Sequence, residues 1–249
     1  MQAAYDAIYF ELKGYIEDGT YPYRSLLPSE SVLVNQYGCA HNTVRKSLAM
    51  LASEGYVQPV HGKGVRVIYL PRPISPNKLN TYPSSTIESF REVSTRNGVQ
   101  SSTKVLLMER VRADDSESLR YFVKDEPLVH IERIRIHEEE SYAFESNYFR
   151  ADVVDGITKD DAEYSVYHYI REVRGGRIAT SRRWISVEPA SDRDRAVLDI
   201  EGISHVAVVR VLTFDGDGLL CESSEIRLHP KALSIEQTSI VSRVGAITN

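Results

Sequence analysis

The stretch from His41 to Ile68, HNTVRKSLAMLASEGYVQPVHGKGVRVI, restricts the possible folds of this chain more than any other. Its first half carries apolar residues at helical spacing, because Val44, Leu48 and Leu51 fall on one stripe and Gly55 follows the last turn. Its second half alternates around His-Gly-Lys-Gly, which is typical of a β-hairpin with a glycine turn. We therefore predict an amphipathic helix over about 41–54 followed directly by a two-stranded hairpin.

Two more helices precede this stretch. Apolar residues repeat at helical spacing near Ala4–Asp18, and the motif LPSE starts a second helix with Ser29 as its N-cap. That helix ends at Tyr37-Gly38. Three helices and a hairpin predict a winged helix-turn-helix, in which the third helix enters the major groove of DNA. The alternative is a small helical bundle whose charged face is only solvated.

Positive charge is local in this chain. The net charge is −5, and residues 1–70 hold six Lys or Arg against six Asp or Glu. Between His41 and Arg72, however, five Lys or Arg stand against Glu54 alone. This pattern argues against a protein coated in basic charge and favours a small cationic contact surface.

Helical geometry selects the residues of that surface. Asn42 and Lys46 point away from the apolar stripe, and Thr43 and Arg45 lie on its flanks, so these side chains are predicted to meet base edges or phosphates. The hairpin tip, with a cation between two glycines, is predicted to approach the DNA backbone or the minor groove. Its residues are Gly62, Lys63 and Gly64.

The remainder of the chain predicts a second domain. Residues 71–86 contain four of the ten prolines and little periodic hydrophobicity, so we place a semi-extended linker there. The predicted domains are then 1–70 and 87–249. The second domain is predicted to be α+β with an antiparallel sheet. Its predicted strands lie near Lys104–Arg112, Leu128–His137, Tyr142–Phe149, Ile178–Val187, Val206–Phe214 and Leu219–Leu228.

Helices are predicted between some of these strands. A helix over Thr86–Arg96 would start with a capping box of Ser85 and Glu88, and two more lie near Asp161–Val173 and Ser191–Leu198. The sequence DGDG at 215–218 predicts a hairpin turn.

Several classes of protein are not indicated. The two cysteines are far apart without a CxxC motif, and the seven histidines include no HxxxH pair, so neither a metal nor a cofactor is expected. No apolar run reaches the roughly 18 residues of a membrane span, and the N-terminus lacks the pattern of a signal peptide. A cytoplasmic protein of two domains is expected.

The segments LPSESVLVNQYG, NTVRKSLAMLASEGYV and HGKGV resemble the DNA-binding domain of the GntR family of bacterial transcription regulators, over most of residues 5–68. The resemblance implies that Thr43, Arg45, His61, Gly62 and Lys63 contact DNA. The family usually has Ser-Arg where this chain has Ala40-His41. An N-cap hydroxyl and an arginine that commonly contacts DNA are therefore absent.

The second half resembles the effector-binding (UTRA) domain of the HutC subfamily, which shares its fold with chorismate lyase. VEPASDRDRAVLDIEGISHVAVVRVLTF and FESNYF carry this resemblance over roughly residues 84–230, and YSVYHYI lies between them in the chain. Within that subfamily, STIESFREVSTRNG and VEPASDRDRAVLD resemble trehalose operon repressors. The resemblance implies a homodimeric repressor of a carbohydrate operon, released from DNA by a phosphorylated sugar such as trehalose 6-phosphate.

An effector site is expected on the strand Leu128–His137. Strand alternation places Arg133 and Arg135 on one face, and paired guanidinium groups suit a phosphate. Glu145 on the next strand is expected to accept sugar hydroxyls. The resemblance adds Ser89, Phe90, Ser165 and Tyr167, with Trp184 and Glu222 as weaker candidates.

Alternatives remain for this site and for the function. The two arginines would instead pair with carboxylates such as Glu132 on a solvated face. The ligand would instead be an amino-sugar phosphate, another sugar phosphate or a non-sugar carboxylate. An enzyme is the third possibility because of the shared lyase fold, but no Ser/His/Asp, Cys/His or metal constellation supports it, so catalysis is not expected.

Overall fold

The computed structural model describes residues 4–70, 80–83, 87–96, 98–116 and 118–236. The chain forms two compact units, one built mainly on residues 4–70 and the other on residues 87–234. No helix among the described residues is long and apolar enough to cross a membrane.

The first unit has the predicted helices and hairpin. Its elements in chain order are α1 (Ala4–Glu17), α2 (Glu30–Tyr37), α3 (His41–Ser53), β1 (Val57–Val60) and β2 (Gly64–Val67). Ser29 caps α2 as predicted, since its side chain accepts from the backbone N–H of Val32, and Gly38 ends the helix in the left-handed conformation at φ 58°. β1 and β2 are antiparallel. The winged helix-turn-helix prediction is confirmed.

One apolar core holds these elements together. The predicted stripe of α3 lies in it, with Val44 and Leu51 fully buried against Leu12 of α1 and Leu33 of α2. The hairpin contributes Val57 and Val67, so the wing is anchored to the helices through its base. Every element buries part of its apolar surface in this core, which stabilises the unit as a whole.

The second unit contains a six-stranded antiparallel sheet, which confirms the predicted α+β class. The spatial order of the strands is β4-β5-β6-β9-β8-β7. Their bounds are β4 Ser102–Arg112, β5 Pro127–His137, β6 Glu140–Arg150, β7 Ile178–Pro189, β8 His205–Asp215 and β9 Leu220–Leu228. The turn at 215–218 joins β8 to β9 as predicted.

Helices cover both faces of the sheet. Against one face pack α5 (Lys159–Tyr164), α6 (Val166–His168) and a π-helical turn over Tyr169–Val173. The segment around α7 (Asp192–Val197) packs against the other face. Within β5, Ile131 belongs to the first core and Ile134 to the second, as the strand alternation requires.

The structure corrects the predicted start of the first helix of this unit. The helix α4 spans Phe90–Arg96 and not 86–96. Its capping box is formed by Ser89 and Glu92, because the N–H of Ser89 donates to Glu92 Oε2 at 2.6 Å and Ser89 Oγ accepts from the N–H of Glu92 at 3.2 Å. Ser85 lies outside the described residues, and Glu88 pairs with Arg96 instead.

Two further predictions were incomplete. The predicted helix over 161–173 is interrupted at Ser165, whose backbone is extended at φ −176° and ψ 115°. The linker prediction falls mostly outside the described residues. Asn80–Pro83, however, is a strand, β3, that pairs with β10 (Leu233–Glu236). Both strands are only four residues long, too short to show a clear period.

Candidate functional site

The third helix presents its polar side to solvent. Asn42, Arg45 and Lys46 are exposed and Thr43 is half-buried, while the opposite side of α3 is in the core. The Nζ atom of Lys46 lies 3.5 Å from the centroid of the Tyr5 ring, a cation–π contact that orients the ammonium group. The first turn of α3 has Ala40 as its N-cap residue without a side-chain hydrogen bond, as expected from the missing hydroxyl.

Arg45 is oriented by a residue of the preceding helix. Its Nε donates to Oε2 of Glu30 at 2.8 Å, although 64% of the Arg45 side chain is exposed. Within the described part of the chain, this is the hydrogen bond found for that guanidinium group, so its two Nη groups are available to an outside acceptor. The sequence does not indicate Glu30, because nothing in its spacing from Arg45 predicts the contact.

The wing tip is an exposed glycine turn. Gly62 and Gly64 have φ values of 70° and 100°, which favour glycine, and a Cβ at either position would meet no atom within 4 Å. The backbone conformation, not crowding, therefore requires these glycines. Lys63 and His61 are exposed beside them. The eight residues predicted to contact DNA thus lie on α3 or at this tip.

A pocket that is open to solvent lies on one face of the second unit's sheet. The seven residues predicted to bind an effector all line it: Ser89, Phe90, Arg133, Arg135, Glu145, Ser165 and Tyr167. The strands supply its floor, because alternate residues of β5, β6 and β9 point to this face. Residues just before α4 and around the break at Ser165 supply its walls.

The centre of the pocket is a buried triad of Arg133, Arg135 and Glu145. Arg135 donates to both carboxylate oxygens of Glu145, from Nε at 2.9 Å and from Nη2 at 2.7 Å. Arg133 donates from Nη2 to Glu145 Oε2 at 2.9 Å. All three side chains are at most 6% exposed. Glu145 was expected to accept hydrogen bonds from sugar hydroxyls. It is instead the shared counter-ion of both arginines.

The arginines pair with a carboxylate across the sheet, as the alternative interpretation expected, but this carboxylate is Glu145 and the face is buried. Glu132 pairs with Arg193 on the other face at 2.6 Å, so the alternative of a solvated pairing with Glu132 is wrong. The arginines are nevertheless not free, since Arg133 also donates to Asn147 Oδ1 at 2.9 Å and to the Ala162 carbonyl at 3.1 Å. The Nε of Arg133 is buried without a partner among the described residues.

Burial and ion pairing have opposite effects on the pKa of Arg133 and on that of Glu145. Burial lowers the pKa of Arg133 to about 10, and the neighbouring Arg135 contributes to that shift. Burial alone would raise the pKa of Glu145, but the two arginines outweigh it and lower the pKa. Glu145 is therefore ionised at neutral pH.

A second carboxyl group lies in the same pocket in a different environment. Glu222 is buried and accepts from Tyr167 Oη at 2.6 Å and from Asn147 Nδ2 at 3.3 Å. Burial raises its pKa and also raises that of Tyr167. Asn147 was missed by sequence reasoning, yet its position two residues after Glu145 places it on the same face of β6.

The remaining predicted residues divide between this pocket and elsewhere. Ser89 is occupied in capping α4, Ser165 Oγ accepts from the N–H of His168, and the ring of Phe90 lies 4.3 Å from the Arg135 guanidinium carbon. Trp184 does not belong to the pocket. It is 46% exposed and lines a cavity with Tyr148 and Arg210, whose side chains point to the opposite face of the sheet. It is therefore neither a core residue nor a wall of this site.

In the part of the chain that the structure describes, no group of three or more His, Cys, Asp or Glu is arranged to hold a metal ion. Cys39 and Cys221 are both free thiols. The two candidate sites are the helix-turn-helix and the pocket that contains the buried triad.

Comparison with known proteins assigns both units to known families. Residues 4–67 match the gntR family of bacterial regulatory proteins, and residues 96–234 match the UTRA domain. The chain is 32% identical over 230 residues to the HTH-type transcriptional regulator TreR of Bacillus subtilis, covering 88% of this chain and 90% of that protein.

Two solved structures share this fold over all or part of the chain. The possible transcriptional regulator YydK of Bacillus subtilis covers 96% of this chain and all of its own, at 20% identity and a TM-score of 0.76. The effector-binding domain of the Bacillus subtilis trehalose repressor TreR covers 57% of this chain and 99% of its own, at 26% identity and a TM-score of 0.51. This chain therefore belongs to the gntR family of bacterial regulatory proteins, in the group with a UTRA domain, and is a DNA-binding transcription regulator.

Proposed function

We propose that this regulator represses a carbohydrate-utilisation operon and leaves its operator when a phosphorylated sugar, first of all trehalose 6-phosphate, binds the pocket of the UTRA domain. The observation that carries the proposal is a pocket with two buried guanidinium groups among hydroxyl, amide and carboxyl side chains. The similarity to the TreR regulator supports trehalose 6-phosphate as the first candidate.

The chemistry of the pocket suits both parts of such a ligand. A phosphate offers oxygens that match guanidinium donors bidentately, and the Arg133 Nε has no acceptor among the residues that the structure describes. Sugar hydroxyls both donate and accept, and so do Ser165 and Tyr167, whereas Glu222 and Asn147 add carboxyl and amide groups. An amino-sugar phosphate or another sugar phosphate would use the same groups.

The DNA-contacting residues belong to the first unit. We infer that α3 places Asn42, Thr43, Arg45 and Lys46 in the major groove, and that His61, Gly62, Lys63 and Gly64 contact the backbone or the minor groove. The exposure of Asn42, Arg45 and Lys46 and the glycine turn at the wing tip support this assignment.

We further propose that the protein acts as a homodimer with residues 1–70 as the DNA-binding domain, 71–86 as the linker and 87–249 as the effector-binding and dimerisation domain. One helix-turn-helix reads one half-site, and dimers of such domains bind two half-sites of a palindrome. Release then requires only that the effector bind the arrangement incompetent for DNA more tightly, by a few kcal/mol.

A two-step experiment tests the proposal. The full-length protein is first screened for thermal stabilisation by sugar phosphates, the parent sugars and non-sugar carboxylates, since a ligand at 100 times its Kd adds about 2.7 kcal/mol. Each stabilising ligand is then titrated into the protein bound to a fluorescent operator selected from genomic DNA. We expect a sugar phosphate to stabilise the protein and release the DNA. Stabilisation by carboxylates alone would replace the ligand class, and turnover of any ligand would favour an enzyme.

A further inference from the structure

Arg91 differs from the other guanidinium groups of the pocket. Four arginines line the cavity: Arg91, Arg133, Arg135 and Arg183. Arg133 and Arg135 share the carboxylate of Glu145, and Arg183 already has a partner. Arg91 is exposed, and among the described residues it has no carboxylate partner.

Its position is nevertheless defined. The guanidinium carbon of Arg91 lies 4.1 Å from the centroid of the Tyr164 ring, on the wall of the pocket opposite the sheet. Stacking on an aromatic face leaves the donors at the edge of the guanidinium plane available. The preceding residue, Phe90, packs against the guanidinium group of Arg135. Arg91 is therefore adjacent in sequence to a residue that contacts the triad.

Charge balance shows what Arg91 would add. Two arginines and one ionised glutamate give the triad a net charge of +1, which balances a singly charged anion. A phosphate monoester carries close to two negative charges at pH 7, because its second pKa is about 6. The other carboxyl groups that line the pocket have partners of their own. Glu88 is paired with Arg96, and Glu222 accepts hydrogen bonds from Tyr167 and Asn147.

We propose that Arg91 is the residue that makes this pocket selective for doubly charged phosphate monoesters over singly charged acids. The inference rests on the proposed sugar-phosphate effector and names the residue that would discriminate a phosphate from a sulfate or a carboxylate. The triad supplies one buried positive charge, and Arg91 supplies a second positive charge from the outer wall of the pocket.

The test compares matched esters on the full-length protein at pH 7.5. Dissociation constants are measured by calorimetry for the 6-phosphates of trehalose, glucose and glucosamine and for the corresponding 6-sulfates, which carry one negative charge. The variants are Arg91→Gln, Arg91→Lys and, as a matched control, Arg110→Gln, an arginine of the same unit whose side chain is 71% exposed and which does not line the pocket.

We expect the wild-type protein to prefer the phosphate of at least one pair. Arg91→Gln should weaken phosphate binding about tenfold, as for loss of one charge-assisted hydrogen bond, and sulfate binding much less. Arg91→Lys should keep most of the preference, and Arg110→Gln all of it. An equal loss for both esters, or an unchanged preference in Arg91→Gln, would overturn the inference while the effector class stands. Failure of the wild-type protein to bind any of the phosphates would overturn the proposed function as well.

Discussion

An ion pair between Glu30 and Arg45 connects the two helices of the helix-turn-helix, α2 and α3. Arg45 Nε donates to Glu30 Oε2 at 2.8 Å, connecting the fifth residue of α3 to the first residue of α2. An exposed ion pair of this kind contributes little to stability. Its consequence is geometric, because it holds the plane of the guanidinium group while leaving the two Nη groups for an acceptor on DNA.

Glu30→Gln should therefore change the affinities for specific and non-specific DNA differently. Removing a carboxylate near DNA raises or preserves the electrostatic affinity for any duplex, whereas the loss of orientation at Arg45 lowers the affinity for the operator. We expect the ratio of operator to scrambled-duplex affinity to fall about fivefold, a loss of about 1 kcal/mol. Fluorescence anisotropy at constant salt measures both affinities.

The double variant with Arg45→Ala provides the control. Arg45→Ala alone should cost about 1–3 kcal/mol on the operator without loss of fold, because its side chain is 64% exposed. If Glu30 acts through Arg45, adding Glu30→Gln to the Arg45→Ala variant should lower the ratio of operator to scrambled-duplex affinity only slightly further. Equal effects of Glu30→Gln on both duplexes would contradict the assignment.

Lys63→Ala at the wing tip should weaken binding to every duplex by a similar factor. A lysine contacting phosphate carries no sequence information, so the specificity ratio should stay constant. The slope of log affinity against log salt concentration should become shallower by about 0.9, the value for one neutralised phosphate. The matched control is Lys124→Ala, a lysine of the other unit that is 72% exposed. A loss confined to the operator would show that Lys63 reads bases instead.

The first unit was predictable because its pattern is local. The stripe of Val44, Leu48 and Leu51 and the glycines of the wing tip each determine a local structure by spacing alone. The same holds for the strand alternation that placed Arg133 and Arg135 on one face of β5. Periodicity, however, assigns a residue to a face and does not reveal which partner it meets there.

Long-range partners explain what could not be predicted. Glu145 serves as a counter-ion because the register of β5 and β6 places it directly opposite Arg133. The helix break at Ser165 depends on that residue capping α6, which a continuous helical pattern conceals. Glu222 of β9 and Trp184 of β7 lie on either side of β8 but point to different faces. The register decides this, because Glu222 lies opposite Thr213 and Trp184 opposite Arg210.

Glu145→Ala should destabilise the UTRA domain strongly. It leaves two buried guanidinium groups without their counter-ion, and breaking a buried ion pair costs about 3–5 kcal/mol. The double variant Glu145→Ala/Arg133→Met removes one of the unpaired charges and should be more stable than Glu145→Ala alone. Urea unfolding followed by circular dichroism measures the free energies. If the two substitutions are simply additive, the triad is not the energetic unit that its geometry indicates.

Glu222 should make the protein less stable as the pH rises. Its folded-state pKa is raised above the ordinary value of 4.5 by burial. Above pH 4.5 the folded protein thus retains a proton that the unfolded chain has lost, and the free energy of unfolding falls until the folded pKa is passed. Glu222→Gln keeps the neutral form at every pH. Relative to the wild-type protein it should gain stability as the pH rises above 4.5, with no pH-dependent change well below 4.5.

Glu188→Gln is the control with the opposite sign. Hydrogen bonds from Arg210 lower the pKa of Glu188 to about 2, so its contribution is present above pH 4.5 and is lost as the pH falls through about 2. Glu188→Gln should accordingly be less stable than the wild-type protein at pH 7, and the difference should shrink on acidification. Chemical unfolding at several pH values measures both differences. A Glu222→Gln difference that does not change with pH would show that this carboxyl group titrates in the folded protein as it does in the unfolded chain.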